Sequence, residues 1–278
     1  MPLTLLAGPA NAGKVALLLD RYLAEIGREP ILIVPNRADV DRVERELLGS
    51  AGALLGGTIG TFDDVFREIA RGSEAARPVA TDAQRTLIAQ RVVASVALNG
   101  LGASAKRSGF VPVLLAALGE LQSGLLEPDA VDGGLGRLYA GYRAELDRLG
   151  LWDRDLLRAR AERIASELDA WHGRPVFAYG FEDLTGAEWR LLEALAGRTD
   201  VTVSLPYEPG RPAFEAVQTT AEDLARLAAG RVEELRPGFS KVAHPALAHL
   251  ERALFSDTPP APVAIGAGGV SEKSARSR

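Results

Sequence analysis

The 278-residue sequence predicts an α/β fold, a parallel sheet interrupted by an all-α insertion. Three observations lead there. Short apolar runs bounded by turn or capping residues occupy 3–7, 31–35, 57–61, 176–180 and 201–205, the pattern of strands buried on both faces. The first three alternate with helical patterns at 14–26, 38–48 and 62–70, and that order implies parallel pairing. Between about 81 and 170 nothing reads as a strand, while apolar residues recur at three- and four-residue spacing.

Taken in order, residues 1–75 and 171–207 are expected to share one α/β domain. Residues 76–170 form the helical insertion, with helices predicted at 82–98, 111–122, 135–149 and 155–171. Two independent domains would leave the later strands without a sheet. Residues 208–256 read as a helical extension, with helices within 220–234 and 245–255. The remainder, 257–278, is rich in Pro, Gly, Ala and Ser and is expected to be disordered, because it cannot bury enough apolar surface.

Composition limits the function. The chain is 47% hydrophobic and 25% charged, and no apolar run approaches the roughly 20 residues of a membrane span. The N-terminal stretch lacks a basic leader, so a cytoplasmic protein without membrane partners is expected. The absence of cysteine excludes disulfides and thiolate-held metals within this chain. A net charge of −5 argues against tail-driven nucleic-acid binding, but a single positive groove remains compatible with it. Arginine outnumbers lysine 28 to 4, which reads first as base composition and second as phosphate recognition.

The most informative stretch is Gly8-Pro9-Ala10-Asn11-Ala12-Gly13-Lys14-Val15, placed between the first strand and the first helix. Gly8, Gly13 and Lys14 match G-x-x-x-x-G-K, in which backbone amides and a helix N-terminus surround a phosphate and the lysine reaches its outer oxygens. The next position should carry a hydroxyl to ligate magnesium, and here it is Val15. The loop keeps an anion-binding half and loses a metal-binding half. The bland alternative is a glycine-rich turn.

A second stretch surrounds Tyr179, Gly180, Phe181, Glu182, Asp183, Leu184 and Thr185. It resembles the Walker B region of UvrD-type superfamily-one helicases, with Tyr179 and Gly180 at the places of the two acids and Glu182 at that of a glutamine. Thr185 and Glu188 also have the spacing of a helix capping box. Tyr-Gly-Phe in place of the acids, Pro35 and Ala38 after the second strand, and Thr61-Phe62 after the third are together similar to the helicase-like part of AddB-type subunits. These are subunits of bacterial helicase–nucleases, of the PD-(D/E)XK nuclease family. The segments 109–131 and 135–157 resemble the helical insertion of that family, and the likeness spans roughly residues 3–255.

That resemblance implies a P-loop NTPase-like domain whose ATPase chemistry is eroded, acting as a DNA-binding scaffold in double-strand-break repair. Its partners would be single-stranded or duplex-end DNA and an AddA-type motor subunit, with Thr61 and Phe62 near the DNA. It implies no resident cofactor: ATP or phosphate would bind weakly and magnesium would not be held. A second motor domain and a nuclease would be expected beyond residue 255. No (Asp/Glu)-x-Lys occurs here, since Ala12, Ser104, Phe239 and Ser271 precede Lys14, Lys106, Lys241 and Lys273, so the chain reads as truncated relative to the family. An active P-loop NTPase or kinase with an unusual metal site, or a non-functional fragment, are the alternatives. Of the remaining candidates, His172, His244 and His249 are too scattered for a metal and read as surface residues. Asp63-Asp64, Asp153 and Asp155 read as helix caps, and Trp152, Trp171 and Trp189 as packing.

Overall fold

The structure, a computed structural model, describes residues 3–53, 55–71, 76–98, 100–167, 173–238, 244–256 and 261. Apart from Ala261, the tail 257–278 lies outside these, as do Trp171 and His172. The first half-sheet is built from β1 (Thr4–Gly8), β2 (Ile31–Ile33) and β3 (Thr58–Gly60), alternating with α1 (Lys14–Ala24), α2 (Arg37–Ala51) and α3 (Phe62–Arg71). Four helices follow, α4 (Asp82–Ser95), α5 (Phe110–Ser123), α6 (Gly133–Leu149) and α7 (Arg154–Glu167). Then come β4 (Val176–Tyr179), α8 (Gly186–Ala196), β5 (Val201–Pro206), α9 (Gln218–Ala228), β6 (Val232–Glu234) and α10 (Pro245–Ala253).

All six strands lie in one parallel sheet, ordered β3-β2-β4-β5-β1-β6. The returning strands β4 and β5 thus fill the space between β2 and β1. Alternation along each strand sends successive side chains to opposite faces. Leu5, Ile33, Ala178 and Val203 pack with α3, α7, α8 and α9 on one face. Leu6, Leu32, Phe177 and Tyr179 pack with α1 and α2 on the other. The Tyr22 ring meets Phe177 edge-on at 5.9 Å in that second layer.

A further apolar cluster joins α4, α5, α6 and the start of α7, centred on Tyr139, Tyr142 and Leu146. Trp152 is buried in it, and a lone parallel bridge pairs Val79 with Trp152. Helix α7 serves both bodies: Leu156 and Leu157 belong to this cluster, while Ala161 packs beneath the sheet. Local caps fix the helix starts. Thr81 with Gln84 and Thr185 with Glu188 form complete capping boxes, and the Asn36 side chain accepts the Asp39 amide at 3.0 Å.

One element departs from the sequence reading. The helix expected within 220–234 ends at Ala228, and β6 follows inside what reads as a purely helical extension. Ala229 and Gly230 both take positive φ, 49° and 90°, which stops the helix and turns the chain back along β1. Val-Glu-Glu carries no strand signature. Its place is set by partnership with β1 rather than by propensity. No described helix is long and apolar enough to cross a membrane.

Candidate functional site

Both candidate regions lie at the carboxyl ends of the parallel strands, where open α/β sheets place their ligands. The phosphate-type loop leaves β1 at Gly8 and enters α1 at Lys14. Gly13 caps the helix in the left-handed region, φ 83°, and Asn11 is also left-handed at 57°. Gly8 is required for a different reason: a Cβ there would stand 2.6 Å from the Leu235 carbonyl oxygen just past β6. Its carbonyl accepts from the Tyr207 amide at 3.0 Å, so three strands brace the loop's first residue. Lys14 is buried, and its ammonium donates to the Gly8 carbonyl at 2.8 Å and to the Pro9 carbonyl. Burial lowers its pKa to about 8. The lysine therefore holds the loop closed on itself, in the position from which it would meet a phosphate.

The residues around this loop do not fit a magnesium ion. Val15 offers no oxygen and packs against the α1–α2 layer. Tyr179 is buried in the same layer, and its hydroxyl accepts weakly from Arg42 at 3.4 Å. Burial, against the opposing effect of Arg42, raises the Tyr179 pKa, so the phenol stays neutral. Gly180 has φ +86°, and a Cβ there would lie 2.9 Å from the Pro35 ring. The second acid position is thus sterically closed by the loop after β2. Glu182 and Asp183 are exposed, and Asp183 is engaged with the Leu184 amide at 2.8 Å. Among the described residues no group of His, Asp or Glu is arranged to hold a metal.

The second region is a cleft of about 320 Å³ where the loops after β2, β3 and β4 meet the start of α7. Phe62 and Phe181 pack there with ring centroids 4.8 Å apart, which brings the Thr61-Phe62 and Tyr-Gly-Phe motifs together. Phe62 is 3% exposed, so its ring is a wall of the cleft and not a free stacking surface. The Thr61 amide and hydroxyl both donate to one Asp64 oxygen at 2.9 Å. Burial opposes the Asp64 charge, but these two bonds, with Arg37 and Arg67, outweigh it and hold its carboxyl below the ordinary range.

Four arginines line this cleft: Arg37, Arg67, Arg154 and Arg158. Arg37 and Arg67 reach Asp64, at 3.4 and 3.0 Å. Arg154 and Arg158 each reach Asp63 at 2.8 Å, tying α7 to α3. Asp64 is therefore the cap that sequence suggests, whereas Asp63 is an ion-pair partner. None of these arginines stands out in the sequence. The legible signal is the four-residue spacing of Arg154 and Arg158, which puts both on one face of α7.

The other candidates are structural. Asp153 is fully buried and caps α7 through the Leu156 amide at 2.8 Å. Asp155 sits between Arg158 at 3.3 Å and Arg85 at 3.9 Å, and burial with the nearby Asp153 charge raises its pKa. His244 is an exposed cap accepting the Ala246 amide, and His249 lies on α10. Trp189 packs against the sheet-side core.

No protein-family model matches the chain. Two curated proteins are similar to it, each named as the B subunit of an ATP-dependent helicase/deoxyribonuclease. The one from Desulforudis audaxviator is 27% identical over 297 aligned positions, covering 92% of this chain and 25% of that protein. The one from Pelotomaculum thermopropionicum is 27% identical over 300 positions, covering 92% and 26%. The chain spans about a quarter of the length of these relatives.

Proposed function

We propose that this chain, which is related to the B subunits of ATP-dependent helicase/deoxyribonucleases, is a helicase-like scaffold that holds single-stranded or duplex-end DNA and does not turn over ATP. The observation that carries the reading is the arginine-lined cleft at the carboxyl ends of β2, β3 and β4. Guanidinium groups held by carboxylates at the rim can exchange those partners for phosphate oxygens, which accept the same forked hydrogen bonds. The aromatic wall of Phe62 and Phe181 sets the depth of the cleft, and Thr61 adds a hydroxyl at its edge. Phosphate contacts of this kind hold a strand without reading its sequence.

ATP turnover requires a bridging metal, an oriented water and positive charge from a second domain. Val15 and the closed position at Gly180 remove the first two from this chain's repertoire. The phosphate-type loop retains its glycines and Lys14, so the reading includes weak, metal-free binding of a phosphate or nucleotide there. The work of translocation then falls to a separate AddA-type motor subunit, and the likeness to AddB-type proteins supports a place in DNA repair.

Fluorescence anisotropy with a labelled single strand tests the DNA role. Affinity should fall linearly with salt on logarithmic axes, because each phosphate contact releases counterions. The double substitution Arg37→Ala with Arg67→Ala should weaken binding and reduce the salt slope by about one for each phosphate no longer held. Substituting Arg107, which lies outside the cleft, should leave the slope unchanged. An unchanged slope in the cleft variant would remove the cleft from the reading.

A further inference from the structure

The edge strand β6 presents an open backbone above a cavity. Leu5 donates to the Arg231 carbonyl at 3.0 Å, and Leu235 donates to the Ala7 carbonyl at 2.8 Å. In a parallel pair such bonds alternate, so the amides and carbonyls of Val232 and Glu234 face away from β1. Nothing among the described residues pairs with that outer edge. Glu233 points toward α1, where its carboxylate takes both guanidinium nitrogens of Arg21, at 3.0 and 2.7 Å. By alternation the side chains of Val232 and Glu234 turn to the α9 side.

There they border a cavity of about 590 Å³ floored by Leu5, Ala221, Ala225, Val232 and Tyr207. The small alanines of α9 leave the space unfilled. Three carboxylates line it, Glu208, Glu222 and Glu234, against one guanidinium, Arg236. Glu208 already pairs with Arg211 at 2.9 Å, and among the described residues the Glu222 carboxylate meets only the neutral Gln218 amide, at 2.7 Å. The lining is apolar at its floor and acidic at its rim.

We infer that this edge takes an extended segment of a separate polypeptide as a seventh strand, one whose cavity-facing positions, two residues apart, carry apolar residues flanked by lysine or arginine. Main-chain bonds to Val232 and Glu234 supply affinity, and side chains of one parity enter the cavity, the mode of strand addition. Basic residues two positions before or after the apolar ones share their face and meet Glu222 and Glu234 at the rim. The acidic rim selects against an acidic strand and, by the same charge, against nucleic acid. This inference is independent of the DNA role, since the cleft lies at β2, β3 and β4, beyond β1 and β5 on the sheet.

The test is fluorescence polarisation with a dye-labelled short peptide in which valine and lysine take turns at every second position, with threonine between them. Binding should weaken at least about tenfold when alternate amides are N-methylated, because those groups can no longer pair with the edge. Replacing its lysines by glutamates should abolish binding. The protein variant Glu222→Lys with Glu234→Lys should lose at least about tenfold, and Ala225→Trp, which fills the cavity, should lose affinity for the unmodified peptide. Thermal melts of both variants, expected to stay cooperative, separate lost binding from lost folding. Equal binding of the N-methylated peptide, retention of the glutamate peptide, or no binding of the unmodified one would overturn the inference. So would a dimer of this chain dissolved by Glu234→Lys, which would make the occupant a second copy.

Discussion

Gly180→Asp restores an acid to the Walker B-like strand and should damage the protein without creating a metal site. The backbone at Gly180 has φ +86°, where an L side chain costs about 1–2 kcal/mol. The new Cβ would sit 2.9 Å from the Pro35 ring, too close for van der Waals contact. Relieving such overpacking costs about 1–3 kcal/mol. Together these give a loss of about 2–5 kcal/mol, or roughly 4–10 °C in Tm for a chain of this size. Pro35→Ala in the same background should recover the contact part and leave the backbone part. The assay is urea unfolding of the four members of this double-mutant cycle. An interaction energy of about 0.5 kcal/mol or more is expected between the two sites. Additive effects, or a Gly180→Asp variant as stable as the parent, would refute the argument that Pro35 closes the acid's position.

Asp63→Asn should lower stability by about 1–3 kcal/mol, because the partly buried Arg158 keeps Asp155 but loses one of its two carboxylates, yet raise affinity for single-stranded DNA by freeing Arg154; unchanged or weaker DNA binding in anisotropy would count against the cleft. Lys14 titrates near pH 8 in the folded protein, below the 10.5 of an unperturbed lysine, so the unfolded chain holds more protons between these values and stability should rise with pH across that window. Phosphate affinity at the loop should fall over the same range above pH 8 as the ammonium is lost, a trend that titration calorimetry would find absent in Lys14→Met. Among the described residues the buried Tyr22 hydroxyl has no hydrogen-bond partner, and Tyr22→Phe should therefore be neutral or stabilising by up to about 1 kcal/mol in urea unfolding.

The sheet was legible because its strands are short, apolar and β-branched, and because residues with a defined backbone task mark their ends. Gly13 and the Thr185–Glu188 box each carry a local geometric requirement that one sequence states. Strand β6 carries none: Val232-Glu233-Glu234 is a strand only because β1 offers an unpaired edge beside it. The cleft was half legible. Thr61 and Phe62 follow a strand and draw notice, but Arg37, Arg67, Arg154 and Arg158 converge from three helices. The same holds for Pro35 against Gly180, residues far apart in sequence that meet only when β4 inserts beside β2. Local signals announce turns and caps, whereas crossover strands decide which distant side chains share a site.

Under the proposed function, the domain binds phosphate groups without hydrolysing them. Steady-state phosphate release from ATP, with magnesium and saturating single-stranded DNA present, tests it most directly. No release above background is expected, and none after Val15→Thr, since Tyr179 and Gly180 still stand where the acids would be. Release above background that disappears in Lys14→Ala would contradict it.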